Sequence, residues 1–116
     1  MVTVDEIRIF LCLTPMKMTH SFDGLMGRAK AIFDQDPTSG HLFLFLNRRR
    51  DRLKILFWDQ DGFWILYKRL EVGTFELPHI ASNAQGIELD DIQLTKILGG
   101  IDLRSGRRRR RYRRSG

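Results

Sequence analysis

Apolar residues fall along the chain in short blocks separated by turn-forming residues, and the spacing inside each block predicts an element. Ile7 to Leu13 (IRIFLCL) is dense in Ile, Phe and Leu and alternates poorly, which predicts a strand covered on both faces and ended by Thr14-Pro15. From Phe22 to Phe33, apolar residues at 22, 25, 26, 29, 32 and 33 recur at helical spacing, with Thr19 or Ser21 as N-cap and Arg28, Lys30 and Asp34 on the wet side. Asp36-Pro37-Thr38-Ser39-Gly40 is a run of turn formers and predicts a loop. His41 to Leu46 is a short apolar strand, Asn47 to Asp51 a polar hairpin loop, and Arg52 to Trp58 the next strand, with Leu53, Ile55 and Phe57 on one face. Asp59-Gln60-Asp61-Gly62 then makes a tight turn into Phe63 to Leu70. After Glu71-Val72-Gly73, a short strand over Thr74 to Leu77 is expected to end at Pro78.

A second helix has a clear start. Asp90 as N-cap and Gln93 three residues on form a capping box, and Leu89 can staple onto Leu94. Leu94, Ile97, Leu98 and Ile101 make its buried stripe, and Gly99-Gly100 stop it. The order β-α-β-β-β-β-α implies an α+β fold, with an antiparallel sheet of about four to five strands and two helices on one face. Large apolar residues at Leu56, Trp58, Trp64 and Leu66 are expected on the face away from Leu53, Ile55 and Phe57. That second face must meet the N-terminal strand, a helix, or another chain, which leaves a homodimer or partner surface open beside ordinary core packing.

Composition changes this outline in one respect. The chain has 116 residues, 20 Lys+Arg against 14 Asp+Glu, and one cysteine. Eight arginines (Arg104, Arg107, Arg108, Arg109, Arg110, Arg111, Arg113 and Arg114) lie in the last 13 residues, leaving residues 1–103 with a net charge of −2. We therefore expect one α+β domain over 1–103 and a disordered Arg-rich tail over 104–116, whose natural partner is a polyanion. Arginine is always charged and pairs bidentately with phosphate, so such a run suits nucleic acid; a purely solubilising tail is the plain alternative. No apolar run approaches membrane length, no secretory signal opens the chain, and the lone Cys12 fits a reducing compartment, so a cytoplasmic protein is expected.

Catalytic signatures are weak. His20, His41, His79 and Cys12 lack structural-zinc spacing, and His41, at the start of an apolar strand, reads as a capping or satisfied core histidine. There is no nucleophile elbow and no Gly-rich phosphate loop, and no cofactor is expected. Asp34/Asp36 and Asp59/Asp61 are the closest acidic pairs; both sit in turn sequence, where Asp bonds its own backbone, and a small metal-dependent nuclease on Asp59 and Asp61 is the weaker reading. The expectation is a protein that is not an enzyme.

A second basic element accompanies the tail. Arg48, Arg49 and Arg50 crown the first hairpin, Arg52 and Lys54 continue along one strand face, and Lys68 and Arg69 end the neighbouring strand. A positive hairpin tip can track a phosphate backbone, whereas a solvated turn needs polar residues in any case. No helix carries base-reading residues at the required spacing, so any DNA contact would be to the backbone.

Several strings together resemble a known family. Phe22-Asp23-Gly24-Leu25, Asp36-Pro37-Thr38-Ser39-Gly40-His41-Leu42-Phe43, Arg52 to Asp59, Gly62-Phe63, Tyr67 to Gly73 and Leu94 to Asp102 are similar to the TnpB accessory proteins of insertion sequence 66-type mobile elements, over roughly residues 7–103. Two departures stand out: Lys17-Met18-Thr19-His20-Ser21 replaces a family segment with an Arg and a Gly, and Leu103 stands where the family has Trp. The resemblance implies a small protein encoded beside a transposase and needed for efficient transposition. Joined to the charge pattern, it leads to the expectation of a non-catalytic accessory factor for DNA transposition. Its partners would be DNA, the transposase of the same element and a second copy of itself. The alternative is an adaptor that binds the transposase without touching DNA.

Overall fold

Strands that are apolar on both faces need two covering layers, and the chain supplies them. The computed structural model describes residues 7–79 and 83–99. In chain order the elements are β1 (Ile9–Cys12), α1 (Phe22–Phe33), a 3-10 turn (Pro37–Ser39), β2 (Leu42–Leu46), β3 (Arg52–Asp59), β4 (Gly62–Arg69), β5 (Gly86–Leu89) and α2 (Asp91–Gly99). The five strands form one sheet in the order β4-β3-β2-β1-β5. The α+β class holds, while the β-α-β-β-β-β-α order is met with β5 in place of the strand expected over Thr74 to Leu77. The tail arginines, Gly100 and Ile101 lie outside the described residues.

Three details differ from expectation. First, the sheet is mixed: β1 and β2 pair in parallel, Ile9 beside Leu42 and Leu11 beside Leu44, while every other pair is antiparallel. The cause is the connection, since a crossover through a twelve-residue helix returns the chain in its original direction, whereas tight turns reverse it. Second, Thr74 to Leu77 is not a strand. This segment crosses the sheet face with Phe75 as a plug, 1% exposed, and its Phe75 N–H donates to Arg50 O at 2.7 Å. The last strand is instead β5, which runs antiparallel to β1 with Leu89 opposite Ile9. Third, the helices lie on opposite faces. Leu25 and Ala29 of α1 pack with Phe10, Cys12, Phe43, Phe45 and Leu56, whereas Ile97 of α2 packs with Ile9, Leu11, Leu44, Leu46, Leu53, Ile55, Phe75 and Leu89.

The register also redistributes the aromatic residues. Leu56 and Trp58 face α1, but Trp64 pairs with Phe57 and Leu66 with Ile55, so these two lie on the α2 face with the set they were expected to oppose. Trp64 and Leu66 stay more than half exposed, because β4 is an edge strand and neither side chain joins the cluster packed under α2.

The local signals for the helices work as physics requires. Asp90 and Gln93 close a reciprocal box, with Gln93 N–H donating to Asp90 Oδ1 at 2.7 Å and Asp90 N–H to Gln93 Oε1 at 3.0 Å. Ser21 is the N-cap of α1 without a side-chain cap bond, and Asp34 ends that helix in the left-handed region at φ 51°. Asp36 caps the 3-10 turn through Thr38 N–H at 2.9 Å and Thr38 Oγ1 at 2.8 Å, which holds its carboxyl below the usual range. Beside α1, the Phe10 ring lies 5.1 Å from Phe33 and 5.5 Å from Phe43.

Two predictions follow from this packing. Phe75→Ala empties a fully enclosed site and should lower unfolding free energy by about 4 kcal/mol, read from urea denaturation. Arg8, just before β1, donates to Glu88 of β5 at 2.6 Å, and that hydrogen bond, with the attraction between the charges, holds the Glu88 carboxyl below its usual range. A lowered folded pKa means the contribution is present at neutral pH and disappears as pH falls through that value. Glu88→Gln should therefore be less stable than the parent at pH 7, and the two melting curves should converge in acid.

Candidate nucleic-acid interface

The β2–β3 hairpin presents its arginines on a backbone that other groups hold still. Asn47 does most of this: its Oδ1 accepts from Asp51 N–H at 3.1 Å and Arg52 N–H at 3.0 Å, and its Nδ2 donates to Asp51 Oδ1 at 2.6 Å. Arg50 N–H donates to Asn47 O at 3.1 Å, and Arg50 takes a left-handed φ of 59° to complete the turn. A non-glycine residue there carries a strain of about 1 kcal/mol, offset by the bonds that Arg50 O and Asp51 O accept from Phe75 N–H and Leu70 N–H. The result is a fixed tip from which Arg48, Arg49 and Arg50 project into solvent.

The remaining basic residues separate by face. Arg52 lies directly opposite Arg69 on the α1 side, an unfavourable pairing of like charges. Arg69 is balanced by Glu71, 2.8 Å away, and an Arg52 N–H reaches the Tyr67 hydroxyl at 3.5 Å. Lys68 faces the other way and donates to Leu98 O at 3.4 Å, near the C-terminal end of α2, where a cation is favourable.

Lys54 is the exception. Only 8% exposed, it donates from Nζ to Met18 O at 2.6 Å and His20 O at 2.8 Å, and the ammonium sits 5.0 Å from the Tyr67 ring centre. Its charge is spent inside the protein on the loop before α1, so it positions that loop and is withheld from solvent phosphate. Alternation along the strand correctly places Lys54 on the face of Arg52; the spacing carries no sign that two carbonyls wait above it.

Pinning that loop creates a feature that sequence reasoning missed. Between the hairpin, residues 15–20 and α1 lies an open cleft of about 590 Å³. Lys17, His20, Arg28, Arg48 and Arg49 surround a floor of Pro15, Met16 and Asn47, and no carboxylate lines it. Among the described residues the two ion pairs engage Arg8 and Arg69, and neither involves a cation of the cleft. A concave surface with one sign of charge concentrates positive potential and attracts anions. Arg28 was visible only as a polar residue on the wet side of a helix; what joins it to Arg48 is tertiary packing.

The other candidate chemistry is accounted for locally. His41 Nδ1 accepts Arg8 N–H at 2.9 Å. Asp59 accepts from Trp64 Nε1 at 3.3 Å and, with Asp61, flanks the β3–β4 turn at the end of the strands away from the arginine tip. Among the described residues no three His, Cys, Asp or Glu side chains gather as a metal site. Burial pushes the Cys12 thiol up. No described helix is long and apolar enough to cross a membrane.

Lys54→Met keeps the apolar stem and removes the donors. It should cost about 2 kcal/mol and speed amide exchange selectively through residues 17–21, measured by hydrogen–deuterium exchange with mass spectrometry.

Comparison with known proteins agrees with the strings noted in the sequence. The chain is 28% identical over 96 residues to the uncharacterized protein y4jC of Sinorhizobium fredii (strain NBRC 101917 / NGR234), covering 83% of this chain and 80% of that protein. It is 30% identical over 100 residues to the uncharacterized protein y4hO of the same strain, covering 86% and 85%. No solved structure matches the chain. The family model described as IS66 Orf2-like protein matches residues 7–108, which include every element of the sheet and both helices. The chain therefore belongs to the IS66 Orf2-like family.

Proposed function

We propose that this protein is a non-catalytic accessory factor in transposition of its insertion sequence, one that holds DNA by its backbone and assists the transposase. Family membership supports the transposition context. The observation that carries DNA contact is the cleft, where Lys17, Arg28, Arg48 and Arg49 converge with His20 and without a carboxylate.

In this reading the cleft seats backbone phosphate, with Arg50 and Arg52 extending the contact along the hairpin. Asn47 and Lys54 act indirectly, by fixing the tip and the loop that form the two walls. Lys68 and Arg69 contribute less, since one is turned to α2 and the other is paired with Glu71. The eight arginines of residues 104–116 add affinity that depends on charge count rather than shape. Binding of this kind positions a protein on DNA without selecting a sequence, so recognition of the element would rest with the transposase.

The test is salt-dependent binding to duplex and single-stranded oligonucleotides by the intact chain, by a chain ending at residue 103, and by the Arg48→Ala/Arg49→Ala variant. If all eight tail arginines meet duplex phosphates, truncation should flatten the slope of log K against log salt by about 7, and the double variant should flatten it by about 2. Absence of binding by every form at low salt would overturn DNA contact and leave the adaptor that binds transposase alone.

A further inference from the structure

β4 is an open edge. It runs eight residues, Gly62–Arg69, and among the described residues no strand lies on its outer side. Natural edges are blunted by shortness, proline, bulges or central charges. The opposite edge follows that rule, since β5 has four residues and carries Glu88 in its ion pair with Arg8. β4 does not: its ladder with β3 is continuous from Asp59–Gly62 to Arg52–Arg69, it contains no proline, and its charges lie only at its end, at Lys68 and Arg69. It also exposes Trp64, Leu66 and Tyr67 by 55%, 53% and 50%.

The phase of the ladder determines what this edge can accept. Leu70 N–H donates to Asp51 O at 2.8 Å, in register with the β3–β4 pairs. Alternation then turns the peptide groups of even-numbered residues toward β3 and those of Phe63, Ile65, Tyr67 and Arg69 outward. We propose that β4 pairs antiparallel with β4 of a second copy of this chain, about a two-fold axis through Ile65. Odd residues must meet odd residues, so the register can shift only in steps of two. Centred on Ile65, it sets Phe63 against Tyr67, Trp64 against Leu66 and Asp61 against Arg69, each twice by symmetry. Centred on Leu66, it would set Trp64 against Lys68 and Phe63 against Arg69; centred on Trp64, it would shorten the shared ladder from seven strand residues to five.

Charge complementarity thus selects a self-partner and one register. Arg69 keeps its bond to Glu71 and remains 60% exposed, with further guanidinium donors available for the partner's Asp61. Aromatic and aliphatic cross-strand pairs on both faces supply the attraction. The two sheets join into one of ten strands, with the arginine hairpins at opposite ends of the shared ladder. This pairing is independent of DNA contact.

The experiment uses the full chain in salt high enough to strip nucleic acid from its arginines. Light scattering should give twice the 13.6 kDa chain mass, dissociating on dilution. Trp64→Lys/Leu66→Lys places lysine against lysine at both pairs and should weaken the dimer roughly tenfold or more, with an unchanged circular dichroism spectrum because both side chains are already exposed. Under oxidation Ile65→Cys should cross-link to its own copy, and Leu66→Cys should not. A chain that is monomeric at all concentrations, a dimer untouched by the double variant, or cross-linking through Leu66→Cys in preference would overturn the proposal.

Discussion

The structure depends on burying a sheet whose central strands are apolar on both faces. Four of the five residues of β2 and all four of β1 are buried, with neighbours along each strand facing opposite sides. A sheet with one wet face could have used a meander and one helical layer; this one cannot. The chain covers one face with α1 and the other with α2 and the stretch around Phe75. From that arrangement come the parallel entry of β1 into the sheet, the placement of β5 on its far side, and the closeness of α1 to the β2–β3 hairpin that forms the cationic cleft.

The sequence reading succeeds where one local rule decides the outcome. The bounds of α1, the capping box at Asp90 and Gln93, the three-strand meander and its two hairpins are all visible in spacing and turn chemistry. It misses β5, because Gly86-Ile87-Glu88-Leu89 is too short to show alternation and becomes a strand only through β1. It takes Thr74 to Leu77 for a strand because a β-type run ending in proline looks alike whether it pairs or merely plugs a core. The candidate site divides in the same way. Arg48 to Arg50 announce themselves as neighbours in sequence, while Lys17, His20 and Arg28 join them only when a buried Lys54 draws down the loop before α1. Lys54 shows why strand alternation alone misreads function: it gives the face of a side chain, and the burial of its charge is decided by what crosses above.

Two electrostatic strategies coexist in this small protein. Some cations are matched to particular acceptors, Lys54 in the interior with two carbonyls, and at the surface Arg8 with Glu88 and Lys68 with the end of α2. Around the cleft, Lys17, Arg28, Arg48 and Arg49 have no ion-pair partner among the described residues, so like charges lie close together there. Such a surface is most stable with an anion against it. The rigidity of the Asn47 turn keeps the arginines from relieving that repulsion by moving the backbone.

The position of β1 bears on how the chain assembles. It is the first strand among the described residues yet lies between β2 and β5, so one of its pairing edges is completed by residues 86–89, almost the full length of the described chain away. The meander of β2, β3 and β4 closes through short loops and forms from local contacts, whereas β1 must wait for a helical crossover on one side and a distant strand on the other. Contacts of such long sequence separation slow folding. During synthesis the apolar Ile9–Cys12 segment therefore emerges before both strands that pair with it, and the time the ribosome takes to reach β5 sets how long its second edge stays open to wrong partners.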